Sequence, residues 1–255
     1  MKKAFLGQDD YSELGRLLRG GADRQNATRR RRRVVESWIM RNTRLTWVCA
    51  TLIAAAGAAL TETANLGIFT DEGGVGQTPP GCQAHYDPAK REYRITGGGA
   101  NMWNAVDAFY FVWKRASGDM TLSADVQWVG AGAVGHRKAA LMVRQSLDPG
   151  SAYADAVSHG DGLTSLQFRG APNEQTYQVM TQVDGPARLR LVRKGSRYTM
   201  FAGKPNEELK PAGPVEFVGL KDPVYVGLGV CSHVATTVET AIFSNVKLEM
   251  DSAAK

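Results

Sequence analysis

Short metal-chelating spacings are missing from this chain. Its 255 residues hold 4 histidines and 3 cysteines, with no HxH and no CxxC among them. A zinc-type site therefore has no local signature. No GxSxG elbow, phosphate loop or dinucleotide fingerprint rises above chance. The paired carboxylates of a retaining glycosidase would stand about 5 Å apart, usually on one strand. Here Glu174, Glu216 and Glu239 are scattered and no ExDxxE-like run occurs. No internal repeat or low-complexity tract is visible.

Basic charge is missing from most of the chain, although the total is +6. Residues 1–44 hold 12 of the 31 Lys and Arg and 5 of the 25 Asp and Glu, a net of +7, which leaves the remainder at −1. Phosphate contacts dominate nucleic-acid affinity, so a nucleic-acid-binding fold would carry its basic patch on the folded surface. Nucleic acid is set aside on that ground.

A full membrane span is also missing. Residues 45–60 (LTWVCATLIAAAGAAL) form 16 uncharged residues, where a spanning helix needs about 20. The run suits the apolar part of a secretory signal, with Arg41 and Arg44 ahead of it. The alternative is an uncleaved hydrophobic helix that anchors the protein with its basic arm inside. Both place the rest of the chain outside the cytoplasm, periplasmic or extracellular, with membrane contact through this segment alone. Residues 1–39 read as a disordered basic arm or an over-called start, 40–64 as signal peptide or anchor, and 65–250 as one domain. Cys82 and Cys231 are then the cysteines of the exported part. They either pair as a disulfide or stand as separate buried thiols.

What is present is alternation. GDMTLSADVQWV places Met120, Leu122, Ala124 and Val126 on one face and Thr121, Ser123, Asp125 and Gln127 on the other. About a dozen such segments, with turn signals every 8–14 residues, predict an all-β sandwich or jelly roll. Gly195-Ser196 marks a hairpin tip and His159-Gly160-Asp161-Gly162 a turn.

Strand parity then sorts the polar residues. In KAALMVRQSL, Leu141 and Val143 point to the core and Met142 and Arg144 away from it. In LTSLQFRG, Leu166 and Phe168 are core and Ser165, Gln167 and Arg169 opposite. Tyr153, Asp155, Val157 and His159 share one face. His233 follows Tyr225, Gly227, Gly229 and Cys231 on the outer side of VYVGLGVCSH. If these outer sets meet, Arg144, Asp155, Gln167, Arg169, His159 and His233 make a groove. Arg, Gln, His and Tyr form directed hydrogen bonds to hydroxyls and carboxylates, so a ligand groove competes with a structural polar network. Trp103, following GGGAN, is the best exposed stacking aromatic. Phe109 and Phe111 share parity with Trp113 and belong to the core. His136, His159 and His233, with Asp161 and Cys231, are the combination that would reach a metal, and Asp119, Asp125 or Asp161 would suit Ca²⁺. The missing spacing favours loop and cap histidines and no cofactor.

YDPAKREYRITGGGANMWNAVDAFYFVWKRASGDMTLSADV (Tyr86 to Val126) resembles the opening of concanavalin A-like sandwich modules of the enolase-regulator type. HRKAALMVRQSLDPGSAYADAVSHGDGLTSLQFR and VYVGLGVCSH are similar to a module of bacterial Tol-type biopolymer-transporter proteins. The resemblance implies a concanavalin A-like antiparallel β-sandwich, in a fold group that includes lectins, glucanases and alginate lyases. The expectation is an exported, lectin-like, non-catalytic module that binds carbohydrate or another cell-envelope component through Arg144, Gln167, Arg169, His159, His233, Asp155, Tyr153 and Trp103. One alternative is a polysaccharide lyase or glycoside hydrolase, with Arg144, Gln167, His159 and Tyr153 drafted for the chemistry. The other is a structural interaction module with a protein partner.

Overall fold

Alternation predicts where the chain extends, and the computed structural model places strands there. It describes residues 65–183, 187–212 and 216–251. The basic arm, the apolar run and the N-terminal helix expected from it lie outside the described residues. In chain order the strands are β1 (Asp71–Val75), β2 (Gln83–Asp87), β3 (Glu92–Gly99), β4 (Met102–Trp103), β5 (Val106–Asp107), β6 (Phe109–Ala116), β7 (Met120–Trp128), β8 (Lys138–Arg144), β9 (Tyr153–His159), β10 (Leu163–Arg169), β11 (Tyr177–Gln182), β12 (Ala187–Lys194), β13 (Arg197–Gly203), β14 (Lys210–Pro211), β15 (Glu216–Phe217), β16 (Val224–Cys231) and β17 (Val234–Met250).

Two antiparallel sheets form a sandwich. The first has the order β1-β6-β16-β8-β9-β10-β11, the second β14-β13-β12-β7-β17-β3-β2, with β15 also on β13. β4 and β5 pair only with each other, as a separate small hairpin. The β12–β13 hairpin turns at Gly195, whose φ of 57° suits a residue without Cβ.

In the second sheet the expected alternation holds. β12, ARLRLVRK, buries Ala187, Leu189, Leu191 and Arg193 and turns the residues between them outward. The first sheet behaves differently. β8 and β9 are buried at all seven positions each, the pattern of a strand covered on both faces. Leu141, Val143, Ala154, Ala156, Leu166 and Leu228 face the second sheet in the main core. Val75, Phe109, Phe111, Met142, Tyr153 and Val157 form a second apolar cluster on the outer side, joined by Met102 of the β4–β5 hairpin. Phe109 and Phe111 are therefore core residues, but of this outer cluster. Parity assigned their side of the strand and could not show that this side is covered.

Gly99 makes the close approach between hairpin and sheet possible. It takes a φ of +149°, and a Cβ there would lie 1.9 Å from the Ala108 carbonyl oxygen. No side chain fits. β17 is kept on both its neighbours by register shifts, one of them between Ser244 and Lys247, where Asn245 adopts a φ of 52°.

Candidate functional site

The register of the first sheet assembles the polar set. Arg144 lies opposite Tyr153, and Tyr153 opposite Arg169. One row further along, Met142, Asp155, Gln167 and Gln178 follow one another across β8, β9, β10 and β11. Lys138 sits between Cys231 and His159. Arg144, Asp155, Gln167, Arg169, Tyr153 and His159 thus do share one face.

They do not line an open groove. Arg144, Asp155, Arg169 and Tyr153 are 0% exposed, Gln167 1% and His159 3%. The cover consists of the β4–β5 hairpin, the loop 145–152 and Thr176, which receive the hydrogen bonds of this face. Parity could place these side chains on one face, but it carries no information about what lies over that face.

The cover is held by charge-assisted hydrogen bonds. Arg169 donates from Nη1 and Nη2 to both carboxylate oxygens of Asp107 at 2.9 and 2.7 Å. It also donates to the carbonyls of Asn104 at 2.9 Å and Ser151 at 2.9 Å. Arg144 donates to the carbonyls of Ser146 at 2.6 Å and Asp148 at 2.7 Å, and its Nη2 lies 3.5 Å from Asp107. Lys138 Nζ donates to Asn101 Oδ1 at 2.6 Å and to the Met102 carbonyl at 3.3 Å. Each cation rises from the sheet and ends on the cover. Burial lowers the pKa of Lys138 and Arg144, while the nearby Asp107 opposes that change. The Tyr153 hydroxyl donates to Thr176 Oγ1 at 3.3 Å, and burial pushes its pKa well above the ordinary value.

One member is different. Both carboxylate oxygens of Asp155 are buried without a hydrogen-bond partner, as is Gln167 Oε1. Burial raises the Asp155 pKa well above the ordinary carboxylate range, against the pull of Lys138.

The open part of this face is its rim. Trp103 is half-buried, with the Lys138 ammonium 5.6 Å from its ring centre. Beyond Lys138 three of the four histidines gather. The His136 ring lies 5.9 Å from that of His159 and 5.8 Å from that of His233. His136 Nδ1 is 3.9 Å from Asp161 Oδ2. His159 Nδ1 meets the Leu163 carbonyl at 3.0 Å. Because a carbonyl only accepts, this bond fixes the proton on Nδ1. Burial drives the His159 pKa to about 4 and lowers that of His233, with the Lys138 charge adding to both. The His159 ring is neutral at pH 7.

Among the described residues, no group of three or more His, Cys, Asp or Glu is placed to hold a metal ion. Asp125 is engaged by Arg188 and Asn245, Asp119 accepts from the Gly195 N–H, and Asp161 accepts from the Leu163 N–H. Cys82, half-buried, and Cys231, buried, are free thiols. Cys231 Sγ donates to the Gly99 carbonyl from the first sheet, and Cys82 Sγ to Pro79 beside the edge of the second. Burial pushes the Cys231 pKa up to about 11.

Sequence reasoning missed two residues that shape this face. Strand parity singled out neither Asp107 nor Lys138. The signal in each case is a charge directly flanking a run that is otherwise apolar.

No protein-family model and no curated protein sequence matches the chain. Solved structures do resemble it in fold. A functionally unknown protein from Saccharomyces cerevisiae superimposes with a TM-score of 0.54 at 14% identity, over 70% of this chain and 99% of that one. The carbohydrate-binding module CBM66 from Bacillus subtilis gives 0.45 at 16% identity, over 71% and 97%. The first of these likenesses supports the β-sandwich fold alone.

Proposed function

We propose that this chain is an exported, non-catalytic β-sandwich module of the concanavalin A-like type, which binds carbohydrate at the rim of its covered face. The observation that carries the reading is a division of the polar set by the cover. Tyr153 and Asp155, the side chains suited to proton transfer in a lyase or hydrolase, are fully buried and out of reach of a polymer chain. Trp103, His136 and His233 remain at least partly accessible. An aromatic ring on the same rim as two imidazoles and the Asp161 carboxylate matches the mixed apolar and hydroxyl surface of a sugar. Export is supported by the uncharged run 45–60 behind a basic arm. The lectin-like assignment is supported by the resemblance of the strands between Tyr86 and His233 to enolase-regulator and Tol-type modules.

The test is retention of the full chain on immobilised plant and bacterial polysaccharides, with released reducing and unsaturated ends scored in parallel. Retention without product is expected. Trp103→Ala should weaken it roughly tenfold, the size of one aromatic contact, with the thermal midpoint unchanged. Released product, or retention indifferent to Trp103→Ala, overturns the reading.

A further inference from the structure

The buried acceptors of Asp155 and Gln167 need a donor, because an unpartnered polar atom inside a fold costs about 1–3 kcal/mol. Across β8 Asp155 faces Met142, whose thioether donates nothing. Along β9 its same-face neighbours are Val157 and Tyr153, whose hydroxyl is turned to Thr176 and Met102. Diagonally, Arg144 and Arg169 direct their hydrogen bonds to cover carbonyls, Asp107 and the Met142 sulfur, and neither bonds the Asp155 carboxyl. Lys138 donates to Asn101 and Met102. Across β10 stands Gln167, in direct register. Its amide Nε2 already donates to Ser165 Oγ at 3.2 Å and Gln178 Oε1 at 3.3 Å, which leaves Oε1 as the unpartnered atom.

The Gln167 backbone N–H is directed at the Asp155 carboxyl and lowers its pKa, without closing to full hydrogen-bond geometry. The two side-chain acceptors that face each other are reconciled by one proton. We infer that Asp155 is a neutral carboxylic acid in the folded protein, donating its O–H to Gln167 Oε1, and that its ionisation loosens the cover above it. The charged groups around it are Lys138 and Arg144 from β8, Arg169 from β10 and Asp107 from the hairpin. The three cations each end on the cover, and none of them is bonded to the Asp155 carboxyl. Losing the proton would place a second unpaired acceptor charge against Gln167 Oε1, in a layer where both side chains are at most 1% exposed. The cost falls on the segments that these cations hold. The cover also carries Trp103, so ligand retention would weaken at alkaline pH. That last consequence rests on the binding reading above, whereas the latch does not.

The sign follows from linkage. A carboxyl whose folded pKa lies above its unfolded value of about 3.9 contributes stability that is fully present below the unfolded value. This contribution is lost as pH rises through the folded one. Between the two, the unfolding equilibrium constant rises about tenfold per pH unit.

The experiment uses the full chain without ligand, so it stands apart from the saccharide test. The infrared carbonyl band of a protonated carboxyl is sought at pH 7 in heavy water, in the native chain and in Asp155→Asn. Unfolding is followed against pH for both. Asn keeps a donor toward Gln167 Oε1 without a titratable proton. The expected result is a protonated band in the native chain that Asp155→Asn lacks. The pH slope above neutrality should be shallower in the variant, and amide exchange of residues 101–107 slower than in the native chain at alkaline pH. Absence of the band at pH 7 overturns the inference, because an ionised Asp155 would instead be met by a turned Gln167 amide. Identical pH slopes overturn it too. Because the band is read on the native chain, a variant that fails to fold does not hide the outcome.

Discussion

The middle strands of the first sheet, β8 and β9, are buried on both faces, yet the two faces are built differently. Toward the second sheet, Leu141, Val143, Ala154 and Leu166 meet apolar partners, and every contact is non-directional. On the outer side, Met142, Tyr153 and Val157 share their layer with Arg144, Arg169, Lys138, Asp107 and Asp155. Apolar packing alone closes a sandwich, because two broad complementary faces bury each other. It does not hold a cover made of two-residue strands and loops, which have little apolar surface to offer. Val106 of the hairpin is 59% exposed, and Met102 is its buried anchor. Cations reaching from the sheet to cover carbonyls supply direction and register in place of area. A buried pair of this kind is weak evidence for stability, but breaking it from one side is expensive.

The comparison can be broken most severely at Asp107. Asp107→Ala leaves Arg169 and Arg144 buried without their carboxylate, and should cost about 3–5 kcal/mol in denaturant unfolding. A loss below about 1 kcal/mol would mean that the cover opens readily to water. Next come adjacent residues on β8. Leu141→Ala and Met142→Ala point to opposite faces, yet each should cost about 3 kcal/mol, because both sides are packed. A much smaller loss at Met142 would show the outer cluster to be loosely packed.

Acid sharpens the contrast further, since only the outer face carries a buried histidine. His159 is held neutral, with its pKa lowered to about 4 from 6.5. Its contribution is present above the unfolded value and is lost as pH falls through the folded one. On the order of 3 kcal/mol should disappear between these two values. His159→Gln should lack that part of the acid profile in urea titrations at successive pH values. The smallest effect belongs to the outer face of the second sheet, which is wet. Arg188→Ala removes a partly exposed pair with Asp125 and should shift stability by less than about 1 kcal/mol.

Much of the fold was legible because a strand's side-chain period is two. The runs from Arg91 to Met250 announced their strands, and parity placed Arg144, Asp155, Gln167 and Arg169 on one face. The tip at Gly195 followed from turn chemistry. The short strands were not legible. β1, with the sequence DEGGV, has no apolar alternation, and β4 and β5 are too short to show any period. The candidate site was half legible for the same reason. Side-chain type and parity named its members, but their exposure depended on a hairpin that leaves no periodic trace. The gathering of His136, His159 and His233 was legible only as three residues near the same strand ends. His233, with its φ of 61°, lies in the two-residue link between β16 and β17, and its ring stands 5.8 Å from that of His136.

By itself, the sequence determined an all-β sandwich, the strand faces and the polar set that shares one of them. These follow from local rules that act over two to ten residues. Only the tertiary structure decided that this polar set is sealed, that Asp107 meets Arg169 across 62 positions of chain, and that the Asp155 carboxyl and Gln167 Oε1 face each other in a buried layer. Those outcomes depend on which loop lies over which strand. That is settled by long-range desolvation and charge pairing, and these leave no pattern in the order of residues.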